Sequence, residues 1–153
     1  MRFAIIALIV WLAAGSAQAQ IQIPDVGDGW RPKVDSAIAV IKAHDPVAHK
    51  RLLENCKSIQ FIIAGESTTQ PPSVIAISVN DMRLNSINNI AAILVHESYH
   101  LYIANQGIKL DPNVEEYQAY SIEYEFLFKI PDLEDWLFEN ALNRMLYYKS
   151  KIK

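Results

Sequence analysis

The sequence predicts a single α+β domain, and three observations carry that reading. Two runs dense in β-branched residues, 58–66 and 73–80, have the composition of strands. The pairs Asp45-Pro46 and Asp111-Pro112 each place a capping side chain before a proline suited to a first helical position. Apolar residues recurring at three and four positions fill the segments around them. At 153 residues the chain is long enough for one compact domain and short for two.

The first segment is set apart from the fold. In "MRFAIIALIVWLAAGSAQAQ", Arg2 precedes an uncharged apolar run from Phe3 to Ala14, and Ala17-Gln18-Ala19 follows as a small-residue pattern. This is the layout of a cleavable signal peptide spanning residues 1–19, with the cut before Gln20. The apolar run falls short of the roughly 20 residues that a membrane span needs. No cysteine stands beside the small residues to take a lipid. The mature domain, 20–153, is therefore expected to be exported, either to a periplasm or into the medium, with no stable membrane anchor after cleavage.

Residues 20–32, with their glycines and prolines, read as an irregular leading segment. From Val34 the positions of Ile38, Val40 and Ile41 suit a helix ending near His44. Asp45 caps a second helix that runs to about Cys56. The two strands flank a polar, proline-containing turn and are expected to pair antiparallel, and "DMRLNS" connects onward. Asn88 or Asn89 can cap a long helix to about Asn105, stopped at Gly107. Asp111-Pro112 opens another that continues to Lys129. A last helix begins around Pro131, with Leu133, Trp136, Leu137, Ala141, Met145 and Tyr148 at core spacing. The expected order is two helices, a β-hairpin or small sheet, then three helices.

The formal charge of −3 carries no basic footprint, which excludes a nucleic-acid partner as an expectation. Cys56 is the single cysteine, so no intramolecular disulfide can form. At the end of a helix it reads as a packed small residue. Stability must come from the core or from a bound metal.

The chemistry concentrates in "ILVHESYHLY", residues 93–102. His96 and His100, four apart, share a helix face, and Glu97 stands about 100° beside them. Ile90, Ile93, Leu94, Val95, Leu101 and Ile103 leave this helix no clear solvated side, so it belongs in the middle of the domain. Polar groups buried there without partners would cost about 2–7 kcal/mol each. A divalent cation satisfies both imidazoles at once. His-Glu-x-x-His on a helix is the pattern of zinc metallopeptidases, two imidazole ligands around a glutamate base.

A catalytic zinc needs a third protein ligand. No histidine follows His100, and His44 and His49 lie upstream outside any familiar spacing. The carboxylates of "DPNVEEYQAYSIEYEF" remain, with Glu115, Glu116 and Glu123 all on the next helix. Helical phase leaves the choice open among the three. Glu116 also fits a capping box with Asn113.

His96-Glu97-Ser98-Tyr99-His100 followed by Glu116-Tyr117-Gln118-Ala119 resembles the gluzincin group of zinc peptidases over about residues 73–130. Their third ligand is a glutamate on the helix after the motif helix, often in a Glu-x-x-Ala setting. The resemblance implies a minimal zincin-like domain holding Zn2+ through His96, His100 and Glu116, with Glu97 as general base. The small alanine would let the two helices approach one ion. One departure is Tyr120, where many gluzincins carry an aspartate that hydrogen-bonds a ligand histidine; Glu123 or Glu115 could stand in for it.

The resemblance further implies hydrolysis of a peptide or protein substrate by a zinc-bound water. Tyr99, Tyr120, Tyr124 and Arg83 are candidates for a donor to the oxyanion, and strand 73–80 for an edge along which an extended substrate lies. Two other readings stay open. One is a non-catalytic zincin-like binding or inhibitor module, for which Glu97 would have no use. The other is a different zinc hydrolase, such as the peptide deformylases, which use a cysteine ligand.

Overall fold

The computed structural model describes residues 20–27 and 29–153. The expected signal peptide, 1–19, lies outside the described residues. The fold is α+β, with six helices and a three-stranded mixed sheet among the described residues.

Helix α1, Trp30–His44, starts inside the segment read as irregular, because Pro32 is compatible with a first turn. It buries Val34, Ala37 and Ile41 on one face. Before it, Gln22 bridges to Ser58 at the margin of the sheet. Helix α2, Pro46–Asn55, has the expected cap: the Asp45 side chain accepts from the amides of Val47 and Ala48 at 3.1 and 2.9 Å. Asp45 also accepts from Lys129 Nζ at 2.6 Å, tying this cap to a residue 84 positions further along the chain.

The sheet corrects the expected antiparallel pairing of the two runs. β1, Ser58–Ile62, and β3, Val74–Ser78, pair in parallel. Between them the chain forms a short strand β2, Thr68–Gln70, which pairs antiparallel with β3 from the other side. The order is β1-β3-β2, so the proline-containing turn closes the β2–β3 hairpin and β3 is central. Ile75, Ala76 and Ile77 are all fully buried, as a strand covered on both faces requires.

The run read as strand to residue 80 ends at Ser78, whose hydroxyl caps a six-residue helix α3, Val79–Leu84, where a connection was expected. Helix α4, Ile87–Asn105, is capped by Ser86 and not by Asn88 or Asn89. Ser86 lies one residue before the helix with an extended backbone, the position from which a side chain can reach back to the Asn89 amide. At the other end Gly107 takes φ 65°, and the amides of Gly107 and Ile108 reach the carbonyls of Ala104 and Ile103. This is a Schellman ending.

α4 runs through the centre of the domain, packed by α1, α2, α5 and the sheet. Helix α5, Pro112–Leu127, is capped by Asp111, so Asn113 lies inside its first turn and the capping box with Glu116 does not form. Helix α6, Asp135–Lys149, begins four residues beyond Pro131 and lies along α5. Leu137 and Ala141 are buried as expected, but Trp136, counted with the core, is 46% exposed. Its neighbour Leu137 takes the inward direction, and a helix cannot turn both adjacent side chains to the same face.

Candidate metal centre

α4 and α5 meet through Ala119, fully buried against Tyr99 and Ile103 of α4. With only a methyl group at that point, the carboxylates of α5 reach the imidazoles of α4. Glu123 Oε2 lies 2.9 Å from His96 Nδ1, and Glu115 Oε1 lies 2.7 Å from His100 Nδ1. A carboxylate only accepts, so each ring donates from Nδ1, which in the neutral ring leaves the lone pair on Nε2.

Those two lone pairs face each other. His96 Nε2 and His100 Nε2 are 3.1 Å apart, and the Glu116 carboxylate stands 3.5 Å from the first and 3.6 Å from the second. Ligand atoms of His96, His100 and Glu116 all lie within 4.8 Å of one another. Three acceptors converging on one point repel unless a cation stands among them. Zinc bonds of about 2.0–2.1 Å to a tetrahedral donor set put neighbouring ligand atoms about 3.3 Å apart. The observed separations bracket that spacing, so the donor set and its dimensions fit zinc.

Burial is the largest influence on His96 and favours its neutral form, but Glu116, Glu123 and Glu97 outweigh it and raise its pKa to about 10. In the metal-free protein a proton on His96 is thus the alternative to a metal. Glu116 is held below the usual carboxylate range: burial opposes this, and the two histidines overcome it. Glu97 goes the other way, raised chiefly by burial. It is 7% exposed and makes no hydrogen bond or ion pair among the described residues. A buried, unengaged carboxylate with a raised pKa has the properties of a general base.

The centre opens into a cleft of about 540 Å3 whose far wall is Glu66, Ser67, Thr68, Thr69 and Pro71. A neighbouring cavity of about 210 Å3 shares Glu66, Ser67, His96, Glu97 and Tyr120 with it and extends to Asn140 and Arg144. The segment carrying the far wall is pinned by Ser67, which donates to Asp81 at 2.6 Å and accepts from the Ser78 amide at 2.9 Å.

Glu115, Glu116 and Glu123 thus occupy different places. Glu116 faces the point shared by the two Nε2 atoms, while Glu115 and Glu123 back the rings from outside. Tyr120 packs edge-on against His96, with centroids 4.3 Å apart, and stacks on Tyr148 at 5.6 Å. Of the other donors considered, Tyr99 donates to Gln118, Tyr124 packs on Phe138, and Arg83 sits on α3; none lines the cleft. His44 ends α1 and His49 lies in the first turn of α2, and neither lines the cleft. Cys56 is sealed in the main core, its pKa raised by burial to about 11, and is no partner of the histidines.

The edge expected of strand 73–80 is not there. β3 is paired on both sides, and the edge facing the cleft belongs to β2. Sequence reasoning missed Asn140, Arg144 and the cleft-facing role of Tyr148. Their four-residue spacing along α6 was the available signal, but a polar stripe on a terminal helix usually means only a solvated face. Comparison with protein-family models, curated proteins and solved structures gives no match, so the centre is interpreted from its own geometry.

Proposed function

We propose that the chain is an exported zinc-dependent peptide hydrolase, a minimal gluzincin-like domain with His96, His100 and Glu116 as metal ligands and Glu97 as general base. One observation carries this reading: two imidazole Nε2 atoms and a carboxylate converge at the floor of an open cleft, beside a buried glutamate that nothing else engages. A closed structural site would have no use for the cleft or for Glu97.

Zinc bound there supplies a Lewis acid for the scissile carbonyl and a water acidified toward neutral pH. The remaining work falls to the chain. Glu115 and Glu123 hold the imidazoles in the tautomer that presents Nε2 to the cleft. Glu97 accepts a proton from the attacking water and delivers it to the departing amine. Tyr120 and Tyr148 line the opening and offer hydroxyl donors beside the reacting carbonyl. An extended peptide can add to the β2 edge, with Thr68 and Thr69 beside it.

The test is metal content on residues 20–153, by elemental analysis, for the parent and for His96→Ala, Glu97→Gln and Glu116→Ala. The expected result is about one zinc per chain in the parent and in Glu97→Gln, with Glu97→Gln inactive, and loss of zinc in the other two. A parent that takes no metal on reconstitution sinks the reading. Mass analysis of the exported protein checks the N-terminus, expected at Gln20.

A further inference from the structure

The charges around the cleft and its smaller neighbour can be accounted for one at a time. Glu115 and Glu123 are bound to the histidines, and Glu116 faces both of them. Asp81 accepts from Ser67 and from Asn85. Glu97 is the base of the proposed reaction. Glu66 and Arg144 are left over, and neither has an opposite charge within 4.0 Å among the described residues. Arg144 is also the one Lys or Arg lining either cavity among the described residues.

Its placement is specific. Asn140, Arg144 and Tyr148 are four apart on α6 and so share a face. The first two line the smaller cavity, and Tyr148 lines the cleft. Asn140 makes no side-chain hydrogen bond among the described residues, so an amide and a guanidinium both present free donors to the same space. Arg144 lines the same cavity as His96 and Glu97, which puts it beside the centre.

We propose that Arg144 and Asn140 form a carboxylate-anchoring subsite, which selects peptides that place a carboxylate in the smaller cavity while the scissile bond lies over His96, Glu97 and His100. This rests on the hydrolase reading. A guanidinium is a planar fork matched to a carboxylate, and the asparagine amide adds a further donor. The other charged side chains lining both cavities, histidines apart, are acidic, and Glu66, Asp81, Glu97 and Glu123 line the smaller cavity itself, so Arg144 is the one place along them where an anion meets a positive side chain other than histidine. At about 210 Å3 the cavity is below the roughly 300 Å3 where pockets for larger ligands begin, and takes a chain end or one side chain. In a peptide the anion is the terminal carboxylate or an Asp or Glu side chain.

The experiment presents zinc-loaded residues 20–153 with three N-acetylated peptide pools of matched length. One has free C-termini and no acidic residues, one is amidated and neutral, and one is amidated with Asp and Glu. Products are followed by mass spectrometry and kcat/KM is taken on the best pair. A preference of at least tenfold for one carboxylate pool over the neutral amide is expected, and which pool wins identifies the source. Arg144→Ala loses the preference, mainly through KM, while Arg144→Lys keeps part of it and both retain zinc. Equal cleavage of all pools by the parent overturns the anchor and leaves the hydrolase reading standing. If the zinc-loaded parent cleaves nothing, the hydrolase reading falls. The anchor is then judged by calorimetric binding of the acid and amide pools to Glu97→Gln, where equal affinity overturns it.

Discussion

Glu123 holds His96 from behind: its Oε2 lies 2.9 Å from Nδ1, on the side of the ring opposite the point where His96 Nε2 meets His100. Both partners are largely buried, at 7% and 6% exposure, so the bond faces little competition from water. The bond fixes ring orientation and tautomer together.

Glu123→Gln should therefore weaken metal binding while the fold persists. Carboxylates behind a ligand histidine typically contribute 10–100-fold in affinity. Competition with a zinc chelator measures this, and an unchanged affinity would show that Glu123 does not orient His96. Glu115→Gln should act in the same direction and less strongly, because Glu115 is only half-buried.

Ala119→Leu tests the close approach of α4 and α5. The site is fully buried, and overpacking a core commonly costs about 1–3 kcal/mol. Denaturant unfolding should show a loss of that size, accompanied by weaker zinc binding as Glu116 is pushed off the histidines. A stability loss with zinc affinity intact would separate the helix contact from the centre.

Ser67→Ala removes a hydroxyl that serves Asp81 and the Ser78 amide together. Leaving part-buried groups unpaired costs about 1–3 kcal/mol, so the midpoint of unfolding should fall accordingly. The far wall of the cleft hangs on the same hydroxyl, so proteolysis between β1 and β2 should speed up as well. Unaltered cutting there would mean that other contacts hold the wall.

Cys56 gives a pH dependence with a definite sign. Burial raises its thiol from 9.0 to about 11, so the unfolded chain loses the proton first. Its contribution is fully present below about pH 9 and is lost as pH rises toward 11, by on the order of 2 kcal/mol. The difference in unfolding free energy between parent and Cys56→Ala, followed from pH 8 to 11, isolates it from other titrating groups. A flat difference across that window would contradict the burial. At pH 8 the native thiol should react with alkylating reagents far more slowly than the unfolded one.

Helix ends were largely legible because their signals are local. Asp45, Asp111 and Gly107 act through their own neighbours in the chain, and each does what its residue type predicts. Strand pairing was not, because alternation shows which residues pair on a face but not which strand lies alongside. Thr68–Gln70 has no apolar residue to announce it, yet it takes the edge of β3 and forces β1 to the other side. The meeting of His96 with His100 follows from helical spacing alone. The separate positions of Glu115, Glu116 and Glu123 depend on how α5 lies against α4, which no periodicity within α5 contains.

All the side chains at the centre, from His96 to Glu123, come from one helical hairpin closed by the Gly107 turn and the Asp111 cap. The walls come from elsewhere: β2 and its leading loop on one side, α6 on the other. Under the proposed function, metal binding and selectivity are encoded in separate stretches of chain. Exchanging α6 or the loop at 63–67 would then be the route to a new preference that leaves the cluster of His96, His100 and Glu116 untouched.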